Sequence, residues 1–257
     1  MRTARLAARF RHYDWTAAFI ELMIIIVGIL IALQVSDWNQ DRLDHARAQG
    51  YYRRIHADLL TDLQNIGTTL TYWNKVSTYG SEAIAHGETG KLVDGSNWKT
   101  VLAYYQAGQV QPFELADTTF TEMRSAGDLD LIADENLRKQ LANYYRLSGA
   151  GITAMILHHD PVYRKQIRGL TPWHVQQYIW NHCFQEISNT RQELLDCPSP
   201  ISDQDAAAIL ATYQSSPSLL DNLRTWMSTL RVSKIVLTST RKSTAQLTAE
   251  VEAKRKT

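Results

Sequence analysis

An apolar run near the N-terminus constrains the fold more than any other feature of this sequence. It reads AAFIELMIIIVGILIALQV from residue 17 to residue 35. As a helix of about 19 residues it would be roughly 28 Å long, close to the hydrocarbon thickness of a bilayer. Trp15 and Trp38 flank it, and amphipathic aromatic rings favour the two membrane interfaces. A buried core helix is the alternative, but the run has no polar face between Leu22 and Leu33. It therefore predicts one transmembrane helix.

The charges on either side of this run predict its orientation. The N-terminal flank is basic and contains Arg2, Arg5, Arg9 and Arg11. The C-terminal flank is mixed and contains Asp37, Asp41, Arg42, Asp44 and Arg47. Because basic flanks stay in the cytoplasm, we expect a cytoplasmic N-terminus and export of everything after Val35.

A cleavable signal peptide would give the same charge pattern. However, no small-x-small cleavage site follows the run, which continues into Gln34, Asp37, Trp38 and Asn39. The sequence therefore predicts an uncleaved signal anchor in the inner (cytoplasmic) membrane. We divide the chain into a cytoplasmic tail at 1–16, a transmembrane signal anchor at 17–36 and a helical extracytoplasmic, or periplasmic, domain at 37–257.

Two residue choices inside the anchor are unusual. Glu21 lies about one turn from its cytoplasmic end, where an ionised carboxylate is costly unless it reaches the interface or a partner. Gly28 and Ala32 form a small-xxx-small pair, which lets two helices approach closely. At about 100° per residue, Glu21, Gly28 and Ala32 share one stripe of the helix. The stripe is either a face for homo-oligomerisation, or a coincidence in which Glu21 extends to the lipid headgroups.

The anchor also resembles a known family. The run from Gly28 to Gln34, GILIALQ, and the following pair Trp38-Asn39 are similar to the anchor motif of a bacterial domain-of-unknown-function family of single-pass membrane proteins. A second stretch, at 120–145, fits the same family, and the resemblance covers residues 20–66 and 115–147. Ser36 and Gln40 depart from the family pattern, which has Asn or Asp and Glu there. The resemblance implies an anchor and an all-helical exported domain, and it implies no activity.

The periodicity of the remaining chain predicts an all-α fold, a helical bundle that continues from the anchor. Apolar residues recur at helical spacing after residue 37, at Leu43, Ile55, Leu59, Leu63 and Ile66. We place Arg53, Arg54, Asp58 and Asp62 on other faces of that helix. The pattern ends at a predicted loop, 87–96, which contains two glycines.

Shorter helices are expected to follow that loop. The predicted ranges are 98–106, 118–125, 135–147 with Asp134 as N-cap, about 151–160 ending at Pro161, and 172–188 with a proline in its first turn. A loop at 196–202 precedes two more helices, 203–214 and 218–252. The long first and last helices suggest an antiparallel bundle with the shorter helices inserted between them.

Composition and cysteine content narrow the functional classes. The net charge of +1 argues against a nucleic-acid binder, which needs a large basic surface. The two cysteines, Cys183 and Cys197, lie in the predicted exported domain, where disulfides persist. Their spacing matches neither a CxxC redox pair nor a zinc site, so we predict a structural disulfide, with two separate buried thiols as the alternative.

Two clusters are candidate metal sites. The run at 128–135, DLDLIADE, looks like an acidic calcium loop, but it lacks an oxygen ligand at Ile132 and a glycine at Ala133. A turn followed by a capped helix start is the simpler interpretation. His158 and His159 precede Asp160, but adjacent histidines on a helix point about 100° apart and rarely reach one ion. No catalytic residue, cofactor site or metal site is predicted.

These observations favour a non-enzymatic, membrane-anchored cell-envelope protein that binds a protein partner or ligand, or acts as a scaffold. Its expected partners are the lipid bilayer, a second copy of the anchor and an envelope protein, and no nucleic acid. One alternative is a subunit of an ion-coupled or channel-like assembly that uses Glu21. The other is an exported hydrolase that uses the region at 158–160.

Overall fold

The structure, a computed structural model, describes residues 15–111, 113, 115–157, 161–188 and 191–256, with the backbone alone for 147–157. The chain forms two units, Met1–Gly50 and Tyr51–Thr257. The helices are α1 (Trp15–Thr89), α2 (Asn97–Ala107), α3 (Thr118–Ala126), α4 (Glu135–Leu157), α5 (Val162–Leu170), α6 (Trp173–His182), α7 (Asp203–Gln214) and α8 (Leu219–Arg255). One small sheet contains β1 (Phe184–Ser188) and β2 (Arg191–Leu194), and 3-10 turns occupy Val93–Gly95 and Asp128–Leu131. The predicted all-α class is confirmed.

The first unit contains the apolar run, which lies entirely on α1. This stretch is long enough and apolar enough to cross a membrane, and none of it is buried within the protein. The exposed fractions of its large apolar side chains range from 42% at Ile26 to 67% at Ile24. A contiguous apolar surface of this kind requires an apolar surrounding or a partner.

In the second unit, α1 and α8 share a spacing of three and four between buried residues. On α1 these residues are Ile55, Leu59, Asp62, Ile66, Thr69, Trp73, Val76, Gly80 and Ala83. On α8 they are Leu219, Leu223, Trp226, Leu230, Ser233 and Leu237 and, after one interval of seven, Thr244, Leu247 and Val251. His56 Nε2 lies 3.4 Å from Glu252 Oε2, and Lys234 Nζ lies 3.2 Å from Ser77 Oγ. The two helices are therefore antiparallel, with the residue spacing of a coiled coil.

The shorter helices pack around this pair. α4 and α5 lie against α8, and α2 lies against α7. Large aromatic side chains fill the space between them, and two of them donate to backbone carbonyls of α2. Tyr163 donates to the carbonyl of Tyr104 at 2.7 Å, and the Trp226 indole donates to that of Ala107 at 2.8 Å. Burying such rings is favourable only when the hydroxyl or indole N–H finds an acceptor.

Most predicted helices are present. The predictions 98–106, 118–125, 203–214 and 218–252 agree with α2, α3, α7 and α8 to within three residues at each end. The predicted cap is also confirmed, since Asp134 Oδ1 accepts hydrogen bonds from the backbone N–H of Asn136 at 3.0 Å and of Leu137 at 3.1 Å. Each N–H would otherwise lack a partner at the helix start.

Three sequence expectations about the helices were wrong. The break predicted between residues 147 and 151 is absent, because α4 is continuous; a glycine costs only about 1 kcal/mol in a helix. Helix α5, after Pro161, was not predicted. Asp62 was placed away from the core, yet it is fully buried. Leu43 was counted in the apolar stripe of the same helix, yet it is 47% exposed.

The fourth correction concerns the segment 183–188, which was predicted as the end of a helix. Instead α6 ends at His182, and β1 pairs antiparallel with β2, with Phe184 opposite Leu194. The register shifts by one residue between Glu186 and Ser188, which is a β-bulge near the tip of the hairpin. Contacts with residues distant in sequence, Gln106 and Lys75, stabilise this hairpin.

Candidate functional site

The two cysteines lie at the base of the hairpin. Cys183 and Cys197 are joined by a disulfide, with their Cα atoms 5.3 Å apart. The Leu195 N–H donates to the Cys183 carbonyl at 2.8 Å. Two side chains of α2 hold both ends, since Gln106 donates to the Cys183 carbonyl at 2.8 Å and Trp98 to the Cys197 carbonyl at 2.9 Å. The disulfide thus closes the hairpin at the point where α2 holds it.

A cleft of about 220 Å³ lies beside this disulfide. We call it the Tyr79 cleft. It lies between α1, the 3-10 turn, α2 and the segment after β2, and its charged and aromatic lining consists of Lys75, Tyr79, Glu82, Asp94, Lys99 and Asp196. Its wall is made of segments distant in sequence, which the disulfide and the α2 contacts bring together.

Two hydrogen bonds join α1 to the segment after β2 across the cleft. Tyr79 donates its hydroxyl to Asp196 Oδ1 at 2.7 Å, and Lys75 Nζ donates to the Leu194 carbonyl at 2.5 Å. Burial and the hydrogen bond to Asp196 raise the pKa of Tyr79 above its ordinary value. Tyr79 therefore stays a protonated donor at neutral pH, and it has the chemistry of a positioning group rather than of a nucleophile.

The opposite wall of the cleft is charged. Asp94 has a left-handed backbone, with φ of 47°, and its carboxylate accepts from Lys99 Nζ at 2.8 Å. Burial raises the pKa of Glu82, and the carboxylates of Asp94 and Asp196 raise it further, while Lys99 opposes the shift. Across the described ranges, no hydrogen bond or ion pair engages the Glu82 carboxylate. The arrangement can accept a cationic or hydrogen-bond-donating group there.

A second polar feature lies inside the bundle. Asp62 Oδ1 accepts from the Ala116 N–H at 2.7 Å, and Asp62 Oδ2 accepts from the Tyr144 hydroxyl at 2.8 Å. Thr244 on α8 donates to the same tyrosine oxygen at 3.1 Å. Burial raises the pKa of Asp62 to about 6, and the two hydrogen bonds that it accepts oppose this shift. We call these three side chains the Asp62 layer; they connect α1, α4 and α8.

The anchor residues singled out from the sequence are all on the exposed surface of α1. Glu21, Gly28 and Ala32 are exposed, and a Cβ added at Gly28 would meet no atom within 4 Å. As far as the described residues go, Gly28 therefore makes no room for a neighbouring element. Its role in self-association stays a prediction.

Only one of the two candidate metal clusters lies within the described residues. Residues 158–160 lie outside the described residues. The acidic run at 128–135 forms the 3-10 turn Asp128–Leu131, in which Asp128 accepts from the Tyr51 hydroxyl at 2.7 Å. Among the residues that the structure describes, no group of three or more His, Cys, Asp and Glu side chains has the arrangement of a metal site.

No family model, no curated protein and no solved structure matches the chain. Sequence reasoning missed both the Tyr79 cleft and the Asp62 layer. A signal for Asp62 existed, because Ile55, Leu59, Asp62 and Ile66 follow one another at spacings of four, three and four, which places the aspartate in the apolar stripe. For the cleft, no local pattern connects residues near 80 with Asp196.

Proposed function

We propose that this chain is a non-enzymatic, membrane-anchored cell-envelope protein. In this proposal its N-terminus is cytoplasmic, and its helical domain lies outside the cytoplasm and binds a protein partner. The observation that carries it is the apolar stretch of α1, whose large side chains are all at least 42% exposed. Leaving such a surface in water is unfavourable by about 25 cal/mol per Å², whereas a bilayer removes that cost.

The disulfide supports the location of the second unit. Cys183 and Cys197 are paired, and structural disulfides persist in oxidising compartments but are rare in the cytoplasm. The basic residues before α1 support the same orientation. The cytoplasmic face therefore holds the N-terminus, and the second unit folds where its disulfide is stable.

The chemistry of the Tyr79 cleft supports binding over catalysis. Tyr79 donates its hydroxyl to Asp196, and Lys75 donates to the Leu194 carbonyl. Lys99 forms an ion pair with Asp94. These groups hold the walls together, and they leave Glu82 as an acceptor that an incoming donor can reach. A recognition surface needs such fixed, partly desolvated groups.

Site-specific crosslinking in native membranes tests the proposal. A photoreactive amino acid replaces Thr78, which lines the cleft, and in a matched variant it replaces Gln246, which is exposed on α8. We expect a discrete adduct with an envelope protein from position 78 and none from position 246. Absence of any discrete adduct from position 78, or the same adducts from both positions, would contradict partner binding at the cleft.

A further inference from the structure

The hairpin has two outer edges, and the hydrogen-bond pattern shows which backbone groups point outward. The Leu195 N–H donates to the Cys183 carbonyl at 2.8 Å, and Gln185 is opposite Glu193. In an antiparallel pair, hydrogen-bonded and non-hydrogen-bonded positions alternate. Gln185 and Glu193 therefore bond each other, while the next residues along each strand turn their N–H and C=O groups away from the partner strand.

On β2 these outward groups are covered. Lys75 Nζ donates to the Leu194 carbonyl at 2.5 Å, and the Gln192 N–H donates to Gln111 Oε1 at 3.2 Å. The two covering side chains come from α1 and from the segment after α2. This outer edge of the sheet is thereby closed to another strand.

On β1 the corresponding groups belong to Phe184 and Glu186. No hydrogen bond from elsewhere in the described chain reaches the backbone of either residue. The strand is open to solvent, since every residue from Gln185 to Ser188 is exposed. The Glu186 carboxylate has no ion pair within the same described ranges, whereas Glu193 is neutralised by Arg191 at 2.6 Å. One edge of the hairpin is thus closed by side chains, and the other offers two N–H and two C=O groups beside an unpaired negative charge.

We propose that the outer edge of β1 is the docking edge for an extended, basic segment of the partner protein, which adds to the hairpin as a third strand. This inference rests on the proposed function, since it names the kind of segment that the partner presents. The occupant follows from complementarity. Alternating backbone donors and acceptors are matched by another extended backbone, and Glu186 is matched by a lysine or arginine. Ile187, 43% exposed, gives the neighbouring face an apolar contact.

A defined peptide tests this docking edge. The probe is a fluorescent, capped peptide of alternating lysine and valine, titrated into the full-length protein in phosphatidylcholine nanodiscs, with empty nanodiscs as blank. We expect saturable binding, together with slower hydrogen exchange at the amides of Phe184 and Glu186. The control peptide has the same side chains but is methylated on every backbone nitrogen, which blocks both of its edges and prevents strand addition. It is expected not to bind.

Two substitutions at Glu186 distinguish the contribution of its backbone N–H to peptide binding from that of its carboxylate. Glu186→Pro removes the outward N–H without removing a hydrogen bond of the hairpin, because proline is tolerated at outward-facing edge positions. It also removes the carboxylate, so we expect it to weaken binding about three- to tenfold more than Glu186→Gln does, the effect of one net hydrogen bond. Glu186→Gln keeps the N–H and should weaken binding only about twofold, as for an exposed ion pair. Melting temperatures close to that of the parent protein show that both variants fold.

Each other outcome overturns the inference. Equal affinity of the methylated peptide, unchanged affinity of Glu186→Pro or lack of saturable binding would exclude strand addition at β1. Dimerisation of the parent protein that Glu186→Pro abolishes would identify a second copy as the occupant instead. The proposed function fails separately, because it is judged by the adducts formed from position 78 in native membranes.

Discussion

At the scale of single residues, Asp62 combines complete burial with an ionisable group. Its pKa is raised from an ordinary value of 3.8 to about 6, mainly by burial. Carboxylates that face it from α1 and from the segment before α3, those of Asp58 and Asp117, add to the shift. Tyr144 and Tyr145 face it from α4. Because the folded pKa is the higher one, the folded state binds the proton more tightly, and stability is lost as the pH rises from about 4 to 6.

Asp62→Asn is therefore expected to stabilise the protein above pH 6. The ionised carboxylate lowers the free energy of unfolding by up to about 3 kcal/mol at neutral pH, from the size of the pKa shift. An asparagine keeps the hydrogen bond from the Ala116 N–H and donates its amide to the Tyr144 oxygen. The measurement is the melting temperature at pH 5 and pH 8 by circular dichroism. We expect a smaller difference between the two pH values in the variant than in the parent protein.

Tyr144→Phe is the matched control for this prediction. The tyrosine hydroxyl donates to Asp62 and so lowers the pKa of that carboxyl. Its removal should raise the pKa further, and the loss of stability between pH 5 and pH 8 should become larger. An Asp62→Asn variant with the full pH dependence of the parent would show that another group is responsible.

Gly28 is the second residue whose role, here in self-association of the predicted transmembrane helix, one substitution can test. A Cβ at this position meets no atom of its own chain within 4 Å, so Gly28→Ile has no intramolecular cost through contacts. If two anchors associate through the stripe of Glu21, Gly28 and Ala32, the larger side chain separates the helices and abolishes the dimer signal in a membrane association assay. Leu30→Ile, on the opposite face, is the control and should behave as the parent. Equal behaviour of the two variants would exclude the stripe as an interface.

At the scale of elements, the disulfide and the hairpin depend on each other. Cys197→Ser opens a loop in which the cysteines are 14 residues apart, and the chain-entropy model gives a loss of about 3 kcal/mol. We expect a lower melting temperature without a change in α-helical content, together with faster hydrogen exchange in β1 and β2. Val232→Ser, at an exposed position of α8, should leave all three unchanged. Mass spectrometry of the protein isolated from native membranes under non-reducing conditions should find the two cysteine peptides joined, and free thiols at both positions would contradict the pairing.

The same elements show where sequence reasoning succeeds. Helices α2, α3, α7 and α8 could be predicted because the signals for them are local. The structure adds a local cap at α7, where the Ser202 hydroxyl accepts from the Asp205 N–H at 3.1 Å. Gly87 was read as the start of a loop, but α1 continues to Thr89. There glycine makes room for another helix, since a Cβ at Gly87 would lie 2.9 Å from Leu220 Cδ1.

The hairpin and the Tyr79 cleft could not be predicted in this way. The short segments Phe184–Ser188 and Arg191–Leu194 have no apolar alternation that favours a strand over a helix. Contacts across the fold determine their conformation, in particular Gln106 with the Cys183 carbonyl and Lys75 with the Leu194 carbonyl. The cleft joins residues between Lys75 and Leu102 to Asp196 and Cys197, more than ninety positions further along the chain, so neither helical nor strand periodicity relates its two sides.

At the scale of the whole molecule, the proposed topology has a direct test. An alkaline phosphatase reporter, active only outside the cytoplasm, is fused after Thr257 and should be active; a green fluorescent protein at the same position should be dark if exported through the general pathway. Replacing Arg2, Arg5, Arg9 and Arg11 by glutamine should reduce the reporter activity, because the orientation depends on basic residues near the membrane. The reverse reporter pattern would contradict the export of the second unit and, with it, the compartment argument for the disulfide.

The antiparallel pairing of α1 with α8 can form only after nearly the whole chain has been synthesised. His56 contacts Glu252, and Ser77 contacts Lys234, so the α8 partners of α1 are synthesised last. At ribosomal rates of about 5–20 residues per second, about 10–40 s separate His56 from Glu252. During that interval the face of α1 that packs on α8 lacks this last partner, although Ala116 and Tyr144, the hydrogen-bond partners of Asp62, have already been made. We expect a nascent chain in this state to be a substrate for holdase chaperones and proteases, and a shorter delay before α8 is made should raise the steady-state amount of the protein.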